Sequence, residues 1–309
     1  MRALVTGATG FIGTPLVERL MSTGVPVRAV ARPGSRALPA GVERIVGDIA
    51  ADADWRRAVA GVTAVVHLAA RVHVMREHAA EPLAEFRRVN VAGTLTLAQQ
   101  AAAAGVRRFV YVSSAKVNGE RGTFRETDPA APVDAYGVSK HEAEAGLRAI
   151  AASTGMEVVI VRPPLVYGPG VQANFRALMR AIARGVPLPL GAVHNRRSLV
   201  AVDNLVDFLL TTTEHPAAAN ETFFVSDGED LSTTDLIRRL ARAMNRSPRL
   251  LPIPAVALMA AATLVGRRDV AERLLGTLTV DITKARQRLD WVPPVRVDDA
   301  LARAVRALR

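Results

Sequence analysis

Short apolar runs alternate with longer segments of helical periodicity over the first half of the chain. "RALV" from Arg2, "VRAVAR" from Val27, "VERIVGD" from Val42, "AVVHLAA" from Ala64, "RFVYVSS" from Arg108 and "EVVIVRP" from Glu157 are rich in β-branched residues and bounded by Gly, Pro or Ser, the pattern of strands. Between them, residues 16–22, 54–60, 90–104 and 139–152 read as helices, the last two rich in alanine. Strand–helix alternation of this kind predicts an α/β fold: a Rossmann-like, doubly wound parallel sheet covered on both faces, with right-handed crossovers.

The rhythm changes near residue 165. "VYGPGVQANF" and "GVPLPLGAVHNRRS" read as loops, "SLVAVDNLVDFLLTTTEH" as a strand followed by a helix, "TFFVSDGE" as a strand, and "TTDLIRRLARAM" opens a mostly helical C-terminus. Residues 1–165 are therefore expected to form a dinucleotide-binding core. Residues 166–309 are expected to form mainly a smaller C-terminal substrate-binding α/β domain, with about 195–215 returning to the core.

Half of the 309 residues are hydrophobic, which fits a globular chain. The absence of cysteine removes disulfides and thiolate metal sites, and no metal is expected. The net charge is +11, carried by 37 arginines and only three lysines spread along the chain without a like-charged block. Such a surface suits anionic small molecules; with 4% aromatics and no basic–aromatic interleaving, nucleic acid is not an expected partner. "MRALVTGATG" reads as a strand entering a glycine turn rather than a signal peptide. "AVALMAAATLVG" (residues 255–266) is too short to span a bilayer. It is expected to be a buried or interface helix, with a membrane-surface helix as the alternative; membrane insertion is not expected, and the location is expected to be cytoplasmic.

"VTGATGFIG" places Gly7, Gly10 and Gly13 three apart directly after the first strand. Strand, glycine turn and helix N-terminus together cradle a diphosphate, because bare amides approach the anion and the helix dipole favours negative charge. Thr9, Phe11 and Ile12 lie in the same turn. The end of the second strand, "RAVARPGSR", has no acid to hold an adenosine ribose but offers Arg32, which tilts the expected cofactor from NAD toward NADP. Asp48 and Ile49 follow the third strand, and Leu68, Ala69 and Ala70 end the fourth with small residues where a dinucleotide would pass. Ser113 and Ser114 end the fifth strand, at the carboxyl edge where open α/β sheets bind ligands. "YGVSK" puts Tyr136 and Lys140 one helical turn apart on one face. A fixed cation beside a phenol lowers its pKa, which suits acid–base work at a hydroxyl.

The order of "TGATGFIG", "DI", "HLAA", "NVAGT", "YVSSAKVNG", "YGVSK" and "RPPLVYGPG", with "DITKARQRLDWVPP" near the end, resembles the extended short-chain dehydrogenase/reductases that act on nucleotide sugars. That resemblance implies Tyr136 as catalytic acid/base, Lys140 as ribose ligand that lowers the tyrosine pKa, Ser114 as holder of the reacting oxygen, and Asn90 as support of the active-site helix. It also implies Ser113 and Pro163 beside the cofactor, Ser114, Lys116, Asn174 and Arg197 (or Arg196) on the substrate, and Arg273 as a further substrate contact. Ala115 and Lys116 stand where the family's dehydratases carry an Asp-Glu pair, so dehydration is not expected, and Asn118 replaces a tyrosine. Several segments look most like a bacterial subgroup of UDP-N-acetylhexosamine 4-epimerases and 4-keto reductases. The expectation is a 4-keto reductase of a UDP-N-acetyl-6-deoxyhexosamine in surface polysaccharide synthesis. The alternatives are a UDP-sugar 4-epimerase and a non-catalytic nucleotide-sensing protein. A homodimer through the helices after Asn90 and Tyr136 is the implied assembly.

Overall fold

Every apolar run predicted as a strand in the first half forms one. The computed structural model describes residues 1–72 and 81–308, and the side chains of Asp269 and Arg273 lie outside the described set. In chain order the strands are β1 (Ala3–Thr6), β2 (Val27–Ala31), β3 (Glu43–Val46), β4 (Ala64–His67), β5 (Arg108–Val112), β6 (Gly122–Phe124), β7 (Glu157–Arg162), β8 (Leu165–Tyr167), β9 (Arg197–Ala201), β10 (Thr222–Phe224), β11 (Asp230–Leu231) and β12 (Leu278–Val280). The α-helices are α1 (Gly13–Ser22), α2 (Arg56–Val59), α3 (Pro82–Phe86), α4 (Thr94–Ala103), α5 (Ala135–Thr154), α6 (Ala173–Ala183), α7 (Val202–Glu214), α8 (Thr233–Ala243), α9 (Ala255–Leu264), α10 (Arg268–Leu275), α11 (Thr283–Leu289) and α12 (Val297–Arg306). A π-helical segment, Arg87–Gly93, joins α3 to α4.

Seven strands form one sheet in the order β10-β7-β5-β4-β1-β2-β3, parallel at each pairing. The strand order reverses between β4 and β1, where open α/β sheets place their ligands. Alternate residues of each strand serve opposite faces. Val5, Val66, Val110 and Val159 pack under α1 and α7, while Leu4, Val65, Phe109 and Val158 pack under α4 and α5. This is the Rossmann-like α/β architecture expected. A second sheet runs β11-β9-β12-β6, with β8 also paired to β9. Thus β9 lies in the second sheet, whereas α7 packs on α1 and β10 forms an edge of the main sheet. Residues 173–175, read as loop, already belong to α6.

Two expectations need separate mention. No described helix is long and apolar enough to cross a membrane. The apolar stretch 255–264 does form a helix, α9, but none of its residues is buried; the buried-helix expectation is corrected because its packing is partial: Leu258 rests against the core around Ile237 and Leu301 and α10 lies alongside, while Val256 and Leu264 stay exposed.

At the sheet's centre His67 is fully buried. Thr6 Oγ1 lies 2.7 Å from its Nδ1 and Thr94 Oγ1 lies 2.9 Å from its Nε2. Thr6 Oγ1 also accepts from the Ala69 amide at 3.2 Å, so the two threonines hold the ring from both sides. Burial, with the Lys140 charge adding, pushes the imidazole down to about 3. The unfolded chain protonates this histidine near 6.5 and the folded one only near 3. Stability is therefore lost as pH falls through that window. His67→Gln, which cannot titrate, should lose less stability than the wild type between pH 7 and pH 4 in thermal melts; an equal loss in both would show that His67 does not enter the acid transition.

Candidate active site

The carboxyl edge of the sheet at β1, β4 and β5 is where the sequence motifs meet. After Thr6 the chain turns at Gly7, whose φ of +67° is left-handed. A Cβ at Gly7 would lie 2.9 Å from the Ala69 amide nitrogen, and one at Gly13 would lie 2.1 Å from the Gly7 carbonyl oxygen. The turn is thus bare backbone wedged between the 68–70 loop and the start of α1, with the Gly10 amide donating to the Gly7 carbonyl at 2.9 Å. Thr9, Phe11 and Ile12 are half-buried in it. No side chain caps α1, and although the Thr14 amide is taken by the Gly10 carbonyl at 3.0 Å and Pro15 has none, the helix dipole favours an anion at this end. This cradle fits the diphosphate of a dinucleotide.

Beyond β2, Arg32 is exposed, and its carbonyl accepts from Ser35 Oγ at 2.7 Å and from the Arg44 guanidinium at 3.1 Å. Asp48 turns a carboxylate oxygen back onto the Ile49 amide at 2.9 Å, and Ile49 is buried. Asn90, in the π-helical segment, is 1% exposed. Its Oδ1 accepts from the Arg71 amide at 2.7 Å, while its Nδ2 donates to the Arg71 carbonyl and to Ser139 Oγ, both at 3.0 Å. One side chain therefore ties the loop after β4 to α5.

α5 starts where the sequence stops it from starting earlier. Asp134 caps it by accepting from the Gly137 amide at 2.7 Å, and Gly155 ends it with φ +73°. Tyr136 and Lys140 share the face turned to β5. Lys140 Nζ donates to the Val112 carbonyl at 2.8 Å and lies 4.5 Å from the Tyr111 ring centroid and 5.8 Å from that of Tyr136. The Ser114 hydroxyl faces the Tyr136 phenol and favours its ionised form. The electrostatics differ from expectation. Burial raises the phenol pKa above 10, the Asp134 carboxylate adds to the rise, and Ser114 alone opposes it. Lys140 is itself pushed down to about 7 by burial, against the support of Glu144 one turn on. Desolvation outweighs the pairing on which the sequence argument relied.

Beneath this set lies a buried polar network that no motif announced. Ser113 Oγ does not face the cleft but donates to Glu144 at 2.6 Å. Glu144, fully buried, also accepts from Arg162 Nε at 2.9 Å, and Arg162 Nη1 donates to Asn118 Oδ1 at 2.9 Å. Burial alone would raise the Glu144 pKa; Arg162, Ser113 and Arg148 outweigh it and hold the carboxyl below its ordinary value. Asn118, where the resemblance implied a tyrosine, accepts this bond from Arg162. The carbonyl of Pro163, next to Arg162, accepts from the Ala115 amide at 2.9 Å and fixes the turn that carries Ser114.

The substrate candidates separate. Lys116 Nζ is held by Glu120 at 2.9 Å and by Asp134. Arg196 is exposed and pairs with Asp230 at 2.9 Å, whereas Arg197 points to the other face, where Nη1 donates to the Gly276 carbonyl at 3.2 Å. Burial lowers the Arg197 pKa and Glu120 raises it. Asn174 is exposed at the start of α6. The Arg273 side chain lies outside the described residues. Glu120 and Asp134, missed from sequence, link Lys116 to Arg197 and Tyr136; lone acids in a loop carry no spacing signal.

A dinucleotide cradle beside a Ser, Tyr, Lys constellation on this sheet defines an extended short-chain dehydrogenase/reductase. The chain belongs to the NAD dependent epimerase/dehydratase family, whose model matches residues 3–226. It is 46% identical to UDP-glucose 4-epimerase of Vibrio cholerae over 98% of this chain and 94% of that protein. MoeE5, solved in complex with UDP-glucuronic acid and NAD, is 27% identical with a TM-score of 0.80, covering 99% of this chain and 98% of that one. UDP-N-acetylglucosamine 4-epimerase of Bacillus cereus shares the fold at a TM-score of 0.82 and 21% identity, over 100% and 99% of the two chains. The likeness to the Vibrio cholerae enzyme favours the epimerase alternative over the reductase expectation.

Removing one partner of a buried ion pair leaves the other uncompensated. Glu144→Gln should cost about 3–5 kcal/mol in urea unfolding, and adding Arg162→Met should recover part of it. A single-variant loss below about 1 kcal/mol would show that the pair does not hold this region together.

Proposed function

We propose that the protein is an NAD-dependent UDP-sugar 4-epimerase. The observation that carries this reading is Tyr136 and Lys140 on one face of α5, with Ser114 facing the phenol, beside the glycine cradle. The 46% identity to a UDP-glucose 4-epimerase supports epimerisation over one-way reduction. NAD rather than NADP is the proposed cofactor, since the MoeE5 complex holds NAD; Arg32 lies exposed beyond β2, outside the glycine turn.

When bound, the dinucleotide supplies the hydride acceptor and donor. The turn at residues 7–13 holds its diphosphate by backbone amides. Asn90 keeps the 68–70 loop and α5 at a fixed separation, so that the cofactor bed and Tyr136 move as one. Ser114 holds the oxygen on the sugar C4, and Tyr136 takes and returns the proton of that hydroxyl. Since the phenol is raised above its ordinary value, base work depends on the Ser114 hydroxyl and on a protonated Lys140. Arg197 would meet the substrate diphosphate with its forked donors, and Asn174 at the start of α6 would add a contact. The proposed substrate partner is a UDP-sugar, and pairing of two copies through α4 and α5 is the proposed assembly.

Two measurements test this reading. Tyr136→Phe should lose at least about a hundredfold in turnover while dinucleotide binding survives; normal turnover would remove the tyrosine from the chemistry, whereas nucleotide binding without turnover in the wild type would leave the nucleotide-sensing alternative. Incubation with UDP-glucose or UDP-N-acetylglucosamine should yield the C4 epimer with no net change in reduced-cofactor absorbance. Stoichiometric loss of NADH or NADPH absorbance with a UDP-4-keto-6-deoxy sugar, and no epimer, would make it a reductase instead.

A further inference from the structure

From residue 250 to residue 266 the chain carries no charged side chain. Within that run α9 reads "AVALMAAATL" and buries none of its residues. Among the described residues the three most exposed large hydrophobic side chains are Leu264 at 87%, Val256 at 82% and Val265 at 71%, all in or directly after α9. A helix apolar all round normally sits inside a core or a bilayer, and contiguous exposed apolar surface marks an interaction site. Full burial of a Val or Leu is worth about 1.5–3 kcal/mol each, so a surface that covers these three gains that free energy on contact.

Charge decides what covers them. Between Arg246 and Arg273 the sequence carries five arginines against Asp269 and Glu272. Arg246 and Arg249 precede the uncharged run and Arg267 and Arg268 follow it; all four are exposed. A second copy of the chain seated on α9 would bring two such arginine sets together, whereas an anionic surface is attracted by them. The helix, ten residues long, extends about 15 Å, half the hydrocarbon thickness of a bilayer, so it can seat in one leaflet but not cross. Arginines at both ends of an apolar helix can bury their stems and leave their guanidinium groups at phosphate level. We infer that α9 and its flanking arginines dock the protein on the surface of an anionic lipid bilayer. The apolar groove between α9 and α10 ends at Gly276, whose carbonyl Arg197 holds, so docking sets the substrate side of the molecule against the lipid.

The test is co-sedimentation of the full chain with vesicles of phosphatidylcholine alone and of phosphatidylcholine containing about a third phosphatidylglycerol. The wild type should pellet with the anionic vesicles at low salt, much less with the neutral ones, and less again at high salt. Val256→Glu and Leu264→Glu, both at exposed positions outside the candidate active site, should each weaken vesicle binding by at least about tenfold with unchanged melting and unchanged UDP-sugar turnover. No preference for anionic vesicles, or binding indifferent to both substitutions, would overturn the inference. So would a fall in oligomeric size with Leu264→Glu in sedimentation velocity, which would make α9 a contact between copies. None of these failures would touch the nucleotide-sugar reading, which turnover in solution tests separately.

Discussion

The Glu144–Arg162 pair is the interaction on which the geometry of the edge depends. A carboxylate and a guanidinium removed from water are tolerated only when each is hydrogen-bonded nearly to saturation. That requirement ties together four pieces of chain: Ser113 at the end of β5, Glu144 on α5, Arg162 at the end of β7, and Asn118 in the turn after Ser114. Because strands and helix are locked at this point, the hydroxyl of Ser114 and the phenol of Tyr136 are aimed at one place from two elements. The network also takes in a departure that looked arbitrary in the sequence. Asn118, which stands in place of a tyrosine, is the acceptor of Arg162 and so belongs to this network.

The central sheet and its glycine turn were legible because their signals are local. Four residues of β-branched pattern, a glycine triplet and a spacing of four in "YGVSK" each act within one turn or one strand. The short strands β6, β8, β11 and β12 were not legible, since two or three residues define no period and their partners lie far along the chain. The different surroundings of Arg196 and Arg197 needed the strand itself: adjacent residues point to opposite faces, and only the pairing of β9 shows that one meets Asp230 and the other the Gly276 carbonyl. The pKa argument failed for another reason. Spacing reports that a cation neighbours the phenol but not how much water both have lost, and here burial dominates. The uncovered state of α9 was equally hidden, because hydrophobicity along a sequence does not say whether the rest of the chain will cover it.

The buried ionisable groups divide by task. His67 is held neutral between two threonines and acts as a rigid hydrogen-bonded strut between β1, β4 and α4. Glu144 is held charged by its guanidinium partner. Lys140 lies between these extremes, pushed down to about 7, where modest changes in its surroundings shift its proton occupancy. The group nearest the candidate chemistry is thus the most adjustable of the three, while those supporting it are fixed in one protonation state.

The π-helical segment at Arg87–Gly93 has a consequence for how this family can change. Such a segment is an α-helix holding one surplus residue. Deleting any single residue within it would restore ordinary winding and swing the preceding part of the helix by roughly 100°. The carboxamide of Asn90 would then leave both Arg71 and Ser139. A one-residue change of length in this segment would therefore undo the brace even with the asparagine itself retained.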